Sequence, residues 1–324
     1  MIFDVARHKF SEGLLTLIIF ALIASVAVLV GEVTLPVEGG APLRGFIDNL
    51  AVQYPVASAL ALFPLLIYAG LRLARSTVRV SIYSASSLGV VALGAVVMFG
   101  SIVSTNHLYL AIVALLISEL LGRLLYCFGA NVRVGYLFTA MLALGAMPLV
   151  DNALIPLALV LPVIVMLLRG TLREMIIILF GLAAPTLLYC YIVWLMGGEF
   201  DAAFWGIWNT TLSSQHEAII AYLTLPRLIF LGVILFFDIC SIISYFRVRV
   251  TLLDSARIVW RLLIAMQLML VVLLVAMPIS SPALVVALML MMVVVLPQFF
   301  ISVSAPIATV AYILFACASL SVML

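Results

Sequence analysis

Glu119 and Arg123 stand four residues apart inside the apolar run Leu108 to Cys127. That order favours an ion pair along one face of a helix. A charge at the centre of a membrane-spanning helix costs roughly 2.5 to 3.5 kcal/mol on insertion scales, so both residues are expected to face a partner or a wet cavity. Asp238 stands near the middle of a second apolar run that follows Pro226. At 1.5 Å per residue, Glu119 and Asp238 fall about 16 Å and about 15 Å below the same end of their helices. Two acids at similar depth suit a shared midplane site for a proton or cation. The plainer alternative is an acid kept neutral, or held by Arg123 for packing.

A second group of residues is expected outside the apolar runs. Arg227 follows Pro226 at a helix start, where unpaired backbone amides and the helix dipole already favour an anion. His216 and Glu217 are close by in sequence, and Arg44 and Asp48 occupy another polar connection. Two guanidiniums suit a phosphate group, and Asp48 or His216 suits acid/base work on a phosphate-bearing head group. The alternative is that Arg227 snorkels to head groups and His216 is a solvated loop residue.

The composition decides which elements must position these residues. With 67% hydrophobic and 9% charged residues over 324 positions, the chain lies far from soluble domains, where about a quarter of residues are charged. The bilayer is its solvent, and the whole length is expected to form a single integral membrane domain. A formal charge of +2 with dispersed basic residues gives no reason to expect nucleic acid. Cys127, Cys190, Cys240 and Cys317 lack paired spacing and read as buried thiols. No Gly-rich phosphate loop, HExxH or paired Asp-rich motif is present, so no cofactor or metal site is expected.

Taken in order, the apolar runs predict an all-α, polytopic transmembrane bundle of about eleven spans. They are Leu14 to Val30, Val52 to Leu71, Ile82 to Val103, Leu108 to Cys127, Val134 to Val150, Ala153 to Leu168 and Met175 to Met196. A run to Phe246, one ending near Met277, Ala283 to Ile301 and Ala305 to Val322 complete the set. Arg72, Arg75 and Arg79 would share a face of a continuing helix and are expected on head groups. The fifth and sixth runs are short and interrupted by Pro148, Pro156 and Pro162 around Asp151 and Asn152. Such a broken pair suits either a binding cavity or two kinked helices joined by a tight turn. Phe200, Phe204, Trp205 and Trp208 recur at helical spacing and predict an amphipathic interfacial helix. With the amino terminus cytoplasmic and the carboxyl terminus outside, all of the fifteen basic residues except Arg44 and Arg227 fall on the inner side, as the positive-inside rule requires.

The stretch Asn106 to Arg123, then Leu167-Leu168-Arg169, Leu172-Arg173-Glu174, Leu179-Phe180-Gly181-Leu182 and Pro185, resembles a Bacteroidetes family of polytopic inner-membrane proteins of unknown function. The chain departs from that pattern in having one lysine among its basic residues and an acid at Glu119. The acidic first outer loop and the outer arginines are also similar, at the level of fold, to membrane glycosyltransferases and polymerases acting on polyprenyl-linked sugars. The first resemblance implies a bacterial inner membrane and no particular reaction. Arg44, Arg227, Asp48 and His216 make the leading expectation a protein of envelope biogenesis that engages a lipid-linked phosphate on its outer side. Its expected partners are membrane lipids and a polyprenyl-phosphate-linked substrate. The rival expectations are a non-catalytic subunit bound to other membrane proteins and a proton- or cation-coupled transporter using Glu119 and Asp238.

Overall fold

The apolar runs fold as helices, and a computed structural model describes residues 10–31, 41–83, 88–104, 107–129, 133–168, 171–209, 219, 222–276 and 281–323. His216 and Glu217 lie outside the described residues. The order is α1 (Phe10–Val30), α2 (Arg44–Gln53), α3 (Pro55–Val80), α4 (Gly89–Ile102), α5 (His107–Gly129) and α6 (Arg133–Val150). A 3-10 helix (Asn152–Val160) runs straight into α7 (Leu161–Leu168). Then come α8 (Leu172–Leu195), α9 (Phe200–Asn209), α10 (Leu225–Val248), α11 (Asp254–Ala276), α12 (Pro282–Val295), α13 (Pro297–Ser302), α14 (Ala305–Leu320) and a closing 3-10 turn. No strand occurs among the described residues. Eight helical stretches there are long and apolar enough to cross a membrane. The protein is therefore a multi-pass membrane protein of the all-α class.

Three of the expected spans are shorter helices, Gly89–Ile102, Val134–Val150 and Asn152–Leu167. The first, α4, has 14 residues and covers about 21 Å, less than the roughly 30 Å hydrocarbon core. Every residue of α4 and of α12 is buried. A helix apolar on all sides belongs in an interior, and these two form the centre of the bundle. Around α4 pack α1, α3, α12 and α14, while α12 also meets α5, α10 and α11. The jacket faces outward with apolar side chains, as on α8, where Leu179 is 63% and Phe180 68% exposed. In water such a surface would aggregate, whereas in lipid it is the solvated side.

The broken sixth run has a physical cause. Pro156 lacks a backbone donor, and the nine residues from Asn152 wind as 3-10 helix, longer than such turns usually run. Helix α3, by contrast, continues past the expected end of its span to Val80. Arg72 is nevertheless kept off the head groups by the packing of α3 on α5. It turns inward, and both Arg72 and Arg79 stand over the Tyr126 ring of α5, at 5.5 and 5.1 Å.

The contacts define two ends. The starts of α3, α5, α10 and α12 and the ends of α4 and α6 share one of them, through His107 with Ser58, Arg227 with Val103 and Ser281 with Asp151. This is called the Arg44 end. At the other, the Arg249 end, Trp260 donates to the Ile82 carbonyl and Tyr83 to that of Val294. Arg79, Arg173, Arg247, Arg249, Arg257 and Arg261 belong to that second end.

Candidate functional site

The break between α6 and the 3-10 helix places Asp151 where one carboxylate can hold three elements. Its side chain accepts from the Ala153 amide at 2.9 Å and so caps the 3-10 helix. The Tyr109 hydroxyl of α5 donates to Oδ2, and the Ser281 hydroxyl donates to the same oxygen at 2.6 Å. Ser281 Oγ in turn accepts from the Ala283 amide at 3.1 Å, capping α12. Above the Tyr109 ring lies the Arg44 guanidinium, 4.5 Å from its centroid. Arg44 Nε is 3.6 Å from Asp48 one helical turn along α2. The two form an ion pair. Arg44, Tyr109, Asp151 and Ser281 are fully buried. Burial pushes the Asp48 carboxyl above its usual value, and the Arg44 charge only partly offsets that.

An apolar cavity of 340 Å³ adjoins this network, at the lower end of the size of ligand pockets. Its walls come from α6 (Leu144, Pro148), the 3-10 helix (Leu154, Ala158), α8 (Ala183) and α9 (Phe204). Beside it, α6 and α8 cross at glycines. A Cβ on Gly145 would sit 2.1 Å from the Leu182 carbonyl oxygen, and one on Gly181 2.9 Å from that of Phe138. Leu179 and Leu187 line the cavity and are exposed on α8, so it opens on the flank of the bundle. Helix α9 closes its Arg44 end with one face in and one out, Ile207 being buried and Trp205 59% exposed. Leu43 packs with Leu149, Phe204 and Ile207, and its amide donates to the Leu149 carbonyl at 2.9 Å. The residue after Leu43 is Arg44, and only two residues separate Asp151 from the cavity wall at Leu154. The polar network therefore begins within a turn of the apolar cavity.

The other sequence-predicted residues fall into three further places. Arg227 is buried, with Nη1 donating to the Tyr222 carbonyl at 2.9 Å and Nη2 to that of Val103. Its guanidinium also lies 4.4 Å from the Tyr222 ring centroid. Val103 follows the last residue of α4, where a cation satisfies terminal carbonyls and suits the negative end of the dipole. Burial raises the Tyr222 phenol to about 12, so it keeps the proton it donates to the Ser101 carbonyl at 2.5 Å. Arg227 thus serves the end of α4, while Arg44 serves the Asp151 network.

Glu119 is held from two helices. Arg123 Nε is 3.1 Å from Oε2, Arg72 Nε is 2.9 Å from Oε1, and the Tyr68 hydroxyl donates to Oε1 at 2.6 Å. Gly122 leaves the space for Arg72, whose Nε would be 3.3 Å from a Cβ there. Asp238 belongs to a different group. It is buried on α10 and accepts from Gln267 Nε2 of α11 at 3.1 Å. The partners of the two acids are thus on separate helix pairs, α3 with α5 and α10 with α11.

Sequence reasoning missed Tyr109, Ser281, Tyr68 and Arg72 as members of these groups. The only available signal was the polar break at Asp151-Asn152 beside Pro148. No family model matches the chain, and no curated protein and no solved structure matches it significantly.

Proposed function

We propose that this protein engages a lipid-linked, phosphate-bearing molecule at the Arg44 end, with the lipid chain in the cavity between α6, the 3-10 helix, α8 and α9. The observation that carries the reading is the junction of that flank-open apolar cavity with the buried Arg44–Tyr109–Asp151 network. An amphiphile entering from the bilayer would lay its first hydrocarbon units along Leu154 and Leu182 and bring its head toward α2. Arg44 is assigned this role because it lies over the Tyr109 ring of the network beside the cavity, whereas the Arg227 nitrogens Nη1 and Nη2 serve carbonyls at the end of α4. Asp48 is its counter-ion at 3.6 Å. A phosphate would exchange with Asp48 through charge-assisted, bidentate hydrogen bonds, and the movement would fall on α2. Asp48, with its raised affinity for a proton, is the candidate acid/base, together with His216.

In this reading the Arg249 end is cytoplasmic, because it collects the basic residues. The bundle has about eleven crossings, with α4 and the α6 to α7 segments counted among them. It sits in a bacterial inner membrane and acts in envelope biogenesis. Titration of the purified protein with a polyprenyl phosphate and with the matching polyprenol tests the reading. The phosphate should bind at least about tenfold more tightly, one charge-assisted contact being worth about 1.4 kcal/mol or more. Arg44→Gln should remove that difference. Equal binding of phosphate and alcohol by the wild type would overturn it.

One observation favours a second reading, a proton-coupled transporter centred on Asp238. This acid is buried in a span with Gln267 as its hydrogen-bond partner, and both amide atoms of the buried Gln298 lack partners among the described residues. Glu119, neutralised by Arg72 and Arg123, would have no part in it. Proton uptake on substrate addition that survives Asp238→Asn would exclude this reading.

A further inference from the structure

At the opposite end, the last turns of α10 and the first turns of α11 enclose a cavity of 570 Å³. Arg249, Arg257 and Arg261 line it toward the ends of the two helices, and Tyr245, Ile264 and Leu268 line it further along them. Along α11 the residues 257, 261, 264 and 268 follow one helical face, so charge at the helix start gives way to hydrocarbon further in. Leu268 is 61% exposed and Val250, also in the wall, 80% exposed. The two helices are fixed against each other before any ligand arrives. Tyr245 stacks on Trp260 at 4.5 Å and 11°, and Trp260 Nε1 donates to the Ile82 carbonyl at 3.1 Å. Asp254 takes one hydrogen bond from Arg257 at 2.5 Å, leaving three guanidiniums against one carboxylate around the opening.

From this juxtaposition we infer that the groove between α10 and α11 is a binding site for an anionic diacyl phospholipid, its phosphate on Arg257 and Arg261 and an acyl chain along Ile264 and Leu268. The excess of positive charge selects an anion. The apolar wall further along the helices selects an amphiphile over a free inorganic anion, which would gain nothing from Leu268. The site is separate from the cavity at the Arg44 end and does not depend on that reading. It is also narrower than general attraction of a basic surface to lipid. Arg247 belongs to the same basic segment and does not line the groove, so it serves as an internal control.

The test is native mass spectrometry of the full-length protein in detergent, titrated with phosphatidylglycerol or with phosphatidylcholine of the same chains. The wild type should bind phosphatidylglycerol preferentially. Arg257→Gln with Arg261→Gln should weaken that binding about twenty-five-fold, at about fivefold per guanidinium, and Arg247→Gln should leave it within about twofold. Leu268→Trp, on an exposed position with all charges kept, should also weaken it by filling the groove. Thermal melts of each variant exclude unfolding as the cause. Equal binding of the two lipids by the wild type would overturn the inference, as would equal losses in Arg247→Gln and the double variant, or undiminished binding in Leu268→Trp.

Discussion

Glu119 shows how a single side chain in hydrocarbon is stabilised. Its two oxygens receive Arg72, Arg123 and Tyr68, so it is a bridge between α3 and α5 more than an isolated acid. Removing the carboxylate leaves two guanidiniums facing each other in a partly buried site. Glu119→Gln should therefore cost about 2 kcal/mol, below the 3 to 5 kcal/mol of fully buried pairs because Arg123 is one third exposed. Glu119→Gln combined with Arg72→Met should be better tolerated than the sum of the single changes. Thermal melts in detergent check the cycle, and additive effects would remove the bridge. Asp48 gives a residue-scale prediction in pH. Its native pKa lies above the ordinary 3.8, so between those two values the folded state keeps a proton that the unfolded state has released. Stability contributed by this group falls as pH rises through that window. Asp48→Asn should flatten that part of the melting-temperature profile, and an unchanged slope would contradict it.

At the scale of elements, glycines set the α6 to α8 crossing. Gly145→Ala forces a methyl group onto the backbone oxygen of Leu182, which cannot retreat as a flexible side chain would. The expected loss is about 2 kcal/mol, the usual range for overpacking. Gly135→Ala in the same helix meets nothing within 4 Å and should be neutral or slightly stabilising. Equal effects of the two changes would show that the crossing is not set at Gly145. The end of α4 depends on Arg227 in the same way. Arg227→Met strands two carbonyls and should cost about 1 to 3 kcal/mol for each one left unsatisfied, with Arg227→Lys recovering only part because it lacks the planar fork. Full recovery by lysine would return Arg227 to simple snorkelling.

Much of this level was legible in the sequence. Apolar runs became helices, Phe200 to Asn209 became the helix with one buried face, and the Glu119–Arg123 pair follows from i,i+4 spacing. What was not legible is tertiary. Tyr109 and Asp151 are 42 positions apart and Asp151 and Ser281 130, and no local period links them. Asp151 therefore reads as part of a turn until α5 and α12 are brought beside it. Arg72 reads as a head-group residue for the same reason, since only the packing of α3 on α5 turns it inward. Arg227 at a helix start suggests an anion until the end of another helix, α4, supplies the carbonyls it binds.

For the whole molecule, two short and fully buried helices, α4 and α12, form a centre that longer helices shield from lipid. That arrangement leaves the polar breaks of the chain inside protein, where irregular backbone is tolerated at membrane depth. It also separates two openings, an apolar cavity beside Arg44 and a cationic groove beside Arg257, at opposite ends of the bundle. In the proposed topology the carboxyl terminus lies on the same side as Arg44. A reporter active only outside the cytoplasm, fused after Leu324, should be active, and an inactive fusion at normal membrane levels would contradict the topology. The central claim is that the Arg44-end cavity holds a lipid-linked phosphate, and native mass spectrometry of gently extracted protein tests it most directly. Wild-type protein should carry a retained polyprenyl-phosphate species. Ala183→Trp, which fills the cavity from an exposed position on α8, should lose it while melting at the same temperature. Wild-type protein carrying only bulk phospholipid, or equal retention by Ala183→Trp, would contradict the account.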